Sequence, residues 1–203
     1  MLYLARMAKR GQKTETAPIK WNQAKTLITC AMEDEKYNTA LMLATGIYFG
    51  LRIGDILKLT WSQILSDDFI ITEGKTKKSR KIDVHKDYLK IARKVARLCH
   101  IDNDDDRLVF THQRSDGDQS RGVSVVSANK RIKKAFEDSG IEAQNPSSHT
   151  LRKTFGRRVY ENNRQSEAAL ILLSKIFGHK DISTTRGDIG LTQEKITNAY
   201  LSL

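Results

Sequence analysis

Several arginine and histidine side chains stand in this sequence where they could grip an anion. In Gly50-Leu-Arg-Ile-Gly-Asp-Ile-Leu-Lys-Leu-Thr-Trp61, Arg52 falls in a turn between two apolar helical segments. A guanidinium at such a junction either caps the carbonyls that end the first helix or, held rigidly, clamps a phosphate with its planar fork. Asp55, one helical turn on, is placed to hold that guanidinium. In Ser148-His-Thr-Leu-Arg152, His149 and Arg152 are spaced i and i+3 on one helix face. They lie near the helix start, where backbone N–H groups also attract anions. His179 follows Gly178 in Phe177-Gly-His-Lys-Asp-Ile-Ser-Thr-Thr185, either as a C-cap favoured by the helix dipole or as a further member of an anion site.

Basic residues cluster around these positions. Lys75, Lys77, Lys78, Arg80 and Lys81 crowd one predicted hairpin tip with no compensating acid among them, a repulsion that a bound phosphate would relieve. Lys153, Arg157 and Arg158 form a second concentration, this time on the Arg152 helix. The whole chain carries 35 Lys plus Arg against 24 Asp plus Glu, a formal charge of +11 in 203 residues. That surplus points to nucleic acid, and two basic elements suit a protein that grips a duplex from several sides.

Other classes are disfavoured. No apolar run is long enough to span a membrane, and the opening MLYLARMAKRGQK is no secretory signal. Two cysteines, Cys30 and Cys99, make neither a disulfide framework nor a structural zinc site. The acidic stretch from Asp102 to Asp106 lacks EF-hand spacing and reads as a solvated loop. A cytoplasmic setting is expected.

The elements that must position these residues follow from apolar periodicity. Helical spacing covers Lys20–Met32. Thr39–Phe49 is apolar nearly all round, which predicts a buried helix capped by Thr39 or Asn38 and ended by Gly50. A short helix follows over Ile53–Leu59. Phe69–Thr72 and Lys81–Val84 read as strands of a hairpin or a three-stranded sheet, and Arg107–Phe110 as a further short strand. Helices are expected at Tyr88–Cys99, Ser124–Asp138, Thr150–Asn162, Glu167–Phe177 and Gln193–Tyr200. The fold class is mainly α with a small antiparallel β-sheet (α+β).

Taken together and in order, G-L-R-I-G-D-I-L-K-L-T-W, the G-K hairpin, H-T-L-R and F-G-H-K-D-I-S-T-T resemble the catalytic domain of the tyrosine recombinases, the phage-type integrases. The resemblance runs from about residue 20 to the end and implies that residues 19–203 form that domain, behind a basic lead-in or linker remnant over residues 1–18. It implies double-stranded DNA as partner, a homo-oligomer (tetramer) on DNA, no membrane, no metal and no nucleotide cofactor. Arg52 and Arg152 would hold the scissile phosphate, and His149 and His179 would contact it or move protons there. Lys75, with Lys77 as the alternative, would protonate the departing 5′ oxygen. These roles make physical sense, because negative charge gathers on the non-bridging oxygens of a five-coordinate phosphorane and cationic donors stabilise it.

Two features depart from the family. Its nucleophilic tyrosine is expected nine residues after the second histidine, but that position is Asp188, and no tyrosine lies between Tyr160 and Tyr200. Aspartate is shorter than tyrosine and brings a negative charge to an anion pocket, so strand cleavage is expected to be lost while DNA binding survives. A non-catalytic regulator or decoy of recombination sites is the alternative. Tyr200 reads as an aromatic packed on the C-terminal helix rather than as a substitute nucleophile. The family's N-terminal core-binding domain is also absent, so the chain is either a fragment or a short form.

Overall fold

A computed structural model describes residues 16–102, 106–111 and 122–202. Ten helices and one two-stranded sheet lie among the described residues. The axis is α2 (Tyr37–Phe49), whose apolar sequence leaves no solvent face: Ala40 to Ile47 and Phe49 are all buried. Helices α1 (Trp21–Glu33), α5 (Lys86–Leu98) and α7 (Ser148–Asn162) pack around it. Gly46 lets α2 and α7 approach closely, since a Cβ there would lie 2.7 Å from Leu151 Cδ1. Helix α2 starts two residues before its expected beginning. Neither Thr39 nor Asn38 caps it; Lys36 stands at the N-cap, and its side chain makes no capping bond.

The chain leaves α2 through Gly50, which adopts a left-handed φ of 59°. A side chain there would be strained in backbone and would also collide with Phe155. Two short helices follow, α3 (Ile53–Ile56) and α4 (Trp61–Leu65). Strands β1 (Asp68–Thr72) and β2 (Ser79–Asp83) then form an antiparallel hairpin in which Ile71 faces Arg80 and Thr72 faces Ser79. The sheet has two strands, not three. The strand expected at 107–110 is not formed; among the described residues that segment makes one bridge, Thr60–Leu108.

Beyond α6 (Val125–Ser139) and α7 come α8 (Glu167–Phe177), α9 (Ile182–Asp188) and α10 (Leu191–Leu201). Sequence periodicity anticipated neither α4 nor α9. A large core surrounds α2, and a smaller one gathers Tyr160, Ala169, Leu170, Leu173, Phe177 and Ile189 between α7, α8 and α9. Gly156 allows the latter packing, for its Cβ would stand 2.8 Å from both Phe177 and Ile189. The candidate site occupies the seam between the two cores. No described helix is long and apolar enough to cross a membrane.

Candidate active site

The seam is built on the carboxyl end of α8. Gly178, at a left-handed φ of 66°, turns the chain so that its own N–H reaches the Lys175 carbonyl and the His179 N–H reaches the Ser174 carbonyl. The carbonyls of Ile176 and Phe177 are left to accept from elsewhere, at the negative end of the helix dipole. Three guanidiniums take them. Arg80 Nη1 donates to the Ile176 oxygen at 2.9 Å, and Arg52 Nη2 and Arg152 Nη2 both donate to the Phe177 oxygen, at 2.9 and 3.0 Å. Arg152 also donates to the Gly50 carbonyl at 2.6 Å and lies over the Phe177 ring, 4.2 Å from its centroid. It thereby ties the end of α2 to the end of α8.

Arg52 sits at the N-cap of α3, and its Nη1 donates to Glu73 Oε2 at 2.5 Å. The sequence reading gave this holding role to Asp55, which the structure corrects. Asp55 Oδ1 instead accepts from the Gly74 N–H at 2.8 Å and anchors the hairpin turn, while its buried Oδ2 has no hydrogen-bond partner. Glu73 was missed. It is buried, accepts from Thr76 Oγ1 at 3.0 Å, and faces Arg80 Nε at 3.5 Å. The signal available was its phase: Phe69 and Ile71 point inward along β1, and an acid two residues further on must share that inward face.

The hairpin charges are less uniform than expected. Lys75, Lys77 and Lys78 are exposed at the turn. Arg80 is largely covered and bound to Glu73 and α8, and Lys81 pairs with Asp68 and Asp83 at 3.0 and 3.5 Å. Compensating acids therefore do exist, on the facing strand and beside it. Lys75 lies close enough to His179 for its charge to lower the imidazole pKa.

On α7, the N-terminal donors are already satisfied. Ser148 N–H donates to Asn129 Oδ1 at 2.9 Å and His149 N–H to Ser147 Oγ at 3.3 Å. These bonds correct the idea that this helix end offers free backbone donors to an anion. The Arg152 side chain nonetheless reaches the site through its bond to the Phe177 carbonyl, and the charges of Asp188, Arg152 and Arg52 act on the His149 imidazole. The other basic residues of α7 are engaged within the helix or with neighbouring segments. Lys153 Nζ donates to the Thr16 carbonyl at 2.8 Å, Arg157 to Glu161 at 2.8 Å, and the Arg158 guanidinium lies over Trp21 at 5.1 Å.

Asp188 ends α9 and completes the cluster. Its Oδ2 is 3.4 Å from His179 Nε2 and its Oδ1 is 3.7 Å from Lys153 Nζ, while His179 Nδ1 meets Thr185 Oγ1 at 2.9 Å. Arg52, His149, Arg152, His179 and Asp188 thus converge from α3, α7, the α8–α9 turn and α9, with Lys75 alongside on the hairpin. Burial lowers the pKa of both imidazoles; Asp188 opposes that shift and nearby cations add to it. Burial, then the charge of Arg52, lowers Arg152 to about 10, so it keeps its proton at neutral pH. Each guanidinium carries more N–H donors than these bonds use. Tyr200 is not packed as expected; it is 76% exposed on α10.

A profile of the phage integrase family matches residues 19–188. The probable integrase/recombinase YoeC of Bacillus subtilis (strain 168) is 30% identical over 156 residues, covering 76% of this chain and 78% of YoeC. The crystal structure of XerA recombinase superposes with a TM-score of 0.69 at 21% identity, covering 92% of this chain and 64% of that one. XerH site-specific recombinase, in a post-cleavage complex with palindromic difH substrate, gives a TM-score of 0.64 at 17% identity. That match covers 91% of this chain but 52% of XerH.

Proposed function

Because this chain belongs to the phage integrase family, we propose that its tyrosine recombinase catalytic domain binds duplex DNA and presents one backbone phosphate to Arg52, Arg152, His149 and His179. The observation that carries this reading is the meeting of Arg52 and Arg152 on the Phe177 carbonyl, with both histidines and Lys75 around them. Two guanidiniums fixed by one acceptor are preorganised to bond the non-bridging oxygens as charge builds on them. Neutral imidazoles can donate or accept a proton at neutral pH. Lys75, exposed on the turn with its charge acting on His179, is assigned as acid for the departing 5′ oxygen. The difH-bound state of the XerH neighbour agrees with duplex DNA as ligand.

Covalent strand transfer is not available to this chain. A tyrosine at position 188 would reach the phosphate across its ring; Asp188 ends short and carries a charge of the wrong sign. The same observation favours a second reading, a DNA-binding regulator or decoy that occupies recombination sites. One experiment separates them. A duplex selected from a random-sequence library by binding is nicked to make a suicide substrate, and products are resolved on denaturing gels. The expected result is no covalent adduct from this chain and an adduct from Asp188→Tyr. Binding without any adduct from Asp188→Tyr would instead support the decoy.

A further inference from the structure

Asp188 places a carboxylate beside the phosphate position proposed above without committing it to a tight bond. Its contacts to His179 and Lys153, at 3.4 and 3.7 Å, are longer than ordinary charge-assisted hydrogen bonds. Lys153 is already bonded to the Thr16 carbonyl, and burial disfavours the charged form of His179. The Asp188 side chain is 32% exposed, so water reaches it. A carboxylate also ends short of a phenol oxygen by roughly one hydrogen-bond length, about 2.8 Å. A water bonded to Asp188 would then stand where the tyrosine oxygen stands in the family.

We propose that this chain is a metal-independent phosphodiester hydrolase, with Asp188 as general base for a water nucleophile. The proposal rests on the phosphate cradle assigned above to Arg52 and Arg152. The water oxygen forms a bond to phosphorus as the bond from phosphorus to the 5′ oxygen breaks. Asp188 takes the proton lost by water, and Lys75 supplies the proton gained by the 5′ oxygen; solvent then returns both groups to their starting states. The products are a 3′-phosphate and a 5′-hydroxyl. Since no link to the protein stores the bond energy, the nick is not rejoined.

The test uses the whole chain with bis(4-nitrophenyl) phosphate in excess EDTA, a diester that needs no recognition sequence. Release of 4-nitrophenolate is followed for this chain, for Asp188→Asn and for Asp188→Ala, all purified in the same way. Turnover is expected to fall by about 100-fold or more in both variants, the scale of a lost general base. In heavy-oxygen water, the label is expected in the 4-nitrophenyl phosphate product. Anisotropy of a labelled duplex is read on the same samples and doubles as a check on folding. Duplex binding with no turnover above Asp188→Asn overturns the hydrolase and leaves the DNA-binding reading intact. Absence of salt-dependent duplex binding overturns the DNA-binding reading itself, whatever the diester shows.

Discussion

At the scale of single residues, Asp188 sets a negative charge among the cations proposed above to hold a phosphate. Replacing it with Asn keeps the shape and removes the repulsion, so duplex affinity should rise about five-fold, on the order of 1 kcal/mol. A titration by anisotropy that shows equal or weaker binding would place the phosphate elsewhere. The histidines give a second expectation. Burial leads the lowering of both imidazole pKa values below the usual 6.5 or so. Near that pH the folded chain therefore binds fewer protons than the unfolded one, so stability should fall as pH drops through the unfolded-state value. Binding should run the other way, because each added proton is a cation facing DNA. Urea midpoints from pH 7.5 to 5.5, compared with His149→Gln and His179→Gln, check the first; their slopes should flatten. The anchoring residues were legible in the sequence because each sits in a short local motif. Glu73 was not, because its partners Arg52 and Arg80 come from an earlier turn and from the facing strand.

At the scale of elements, the site depends on how closely α8 and α9 lie against α7. Gly156 sets that distance, and an added methyl would press on Phe177 and Ile189 together. Gly156→Ala should cost about 1–3 kcal/mol through overpacking and lower the melting temperature measurably. It should also weaken duplex binding at a temperature where the variant is folded, since the Phe177 carbonyl holds both arginines. Gly187→Ala is the control: a Cβ there meets nothing within 4 Å, so the melting temperature should hold or rise. An unshifted melting curve for Gly156→Ala would mean that α8 yields without cost. Long periodic helices such as α1, α7 and α8 were readable because their apolar spacing is a local record of burial. Helix α9 was not, since among its seven residues Thr185 alone is buried and its ends are fixed by the Asp181 cap and by packing of the adjoining Ile189. The stretch at 107–110 looked like a strand because Leu108, Val109 and Phe110 are apolar; Val109 and Phe110 are buried beside α4, and Leu108 makes one bridge, to Thr60, with no ladder to join.

At the scale of the whole molecule, a charge of +11 says that the chain attracts polyanions but not where. The structure divides those charges into two kinds. Arg80, Arg152, Lys153 and Arg158 are taken up in holding helix ends, the N-terminal segment and α1. Lys75, Lys77 and Lys78 stand exposed on a turn docked beside the proposed phosphate site, where Thr76 packs against Gly178. Charges of the second kind are free to exchange counterions for DNA phosphates beyond the one proposed for Arg52 and Arg152. Each phosphate contact contributes about 0.9 to the slope of log affinity against log salt on B-form DNA. Changing Lys75, Lys77 and Lys78 together to Ala should then lower that slope by about 2 to 3 while leaving the melting temperature nearly unchanged, because no carboxylate loses a partner. Changing Lys81 alone should move the slope little, since Asp68 and Asp83 already neutralise it. A triple variant whose slope matches the parent chain would show that the hairpin turn does not face the duplex, and the phosphate site beside it would lose its route to DNA.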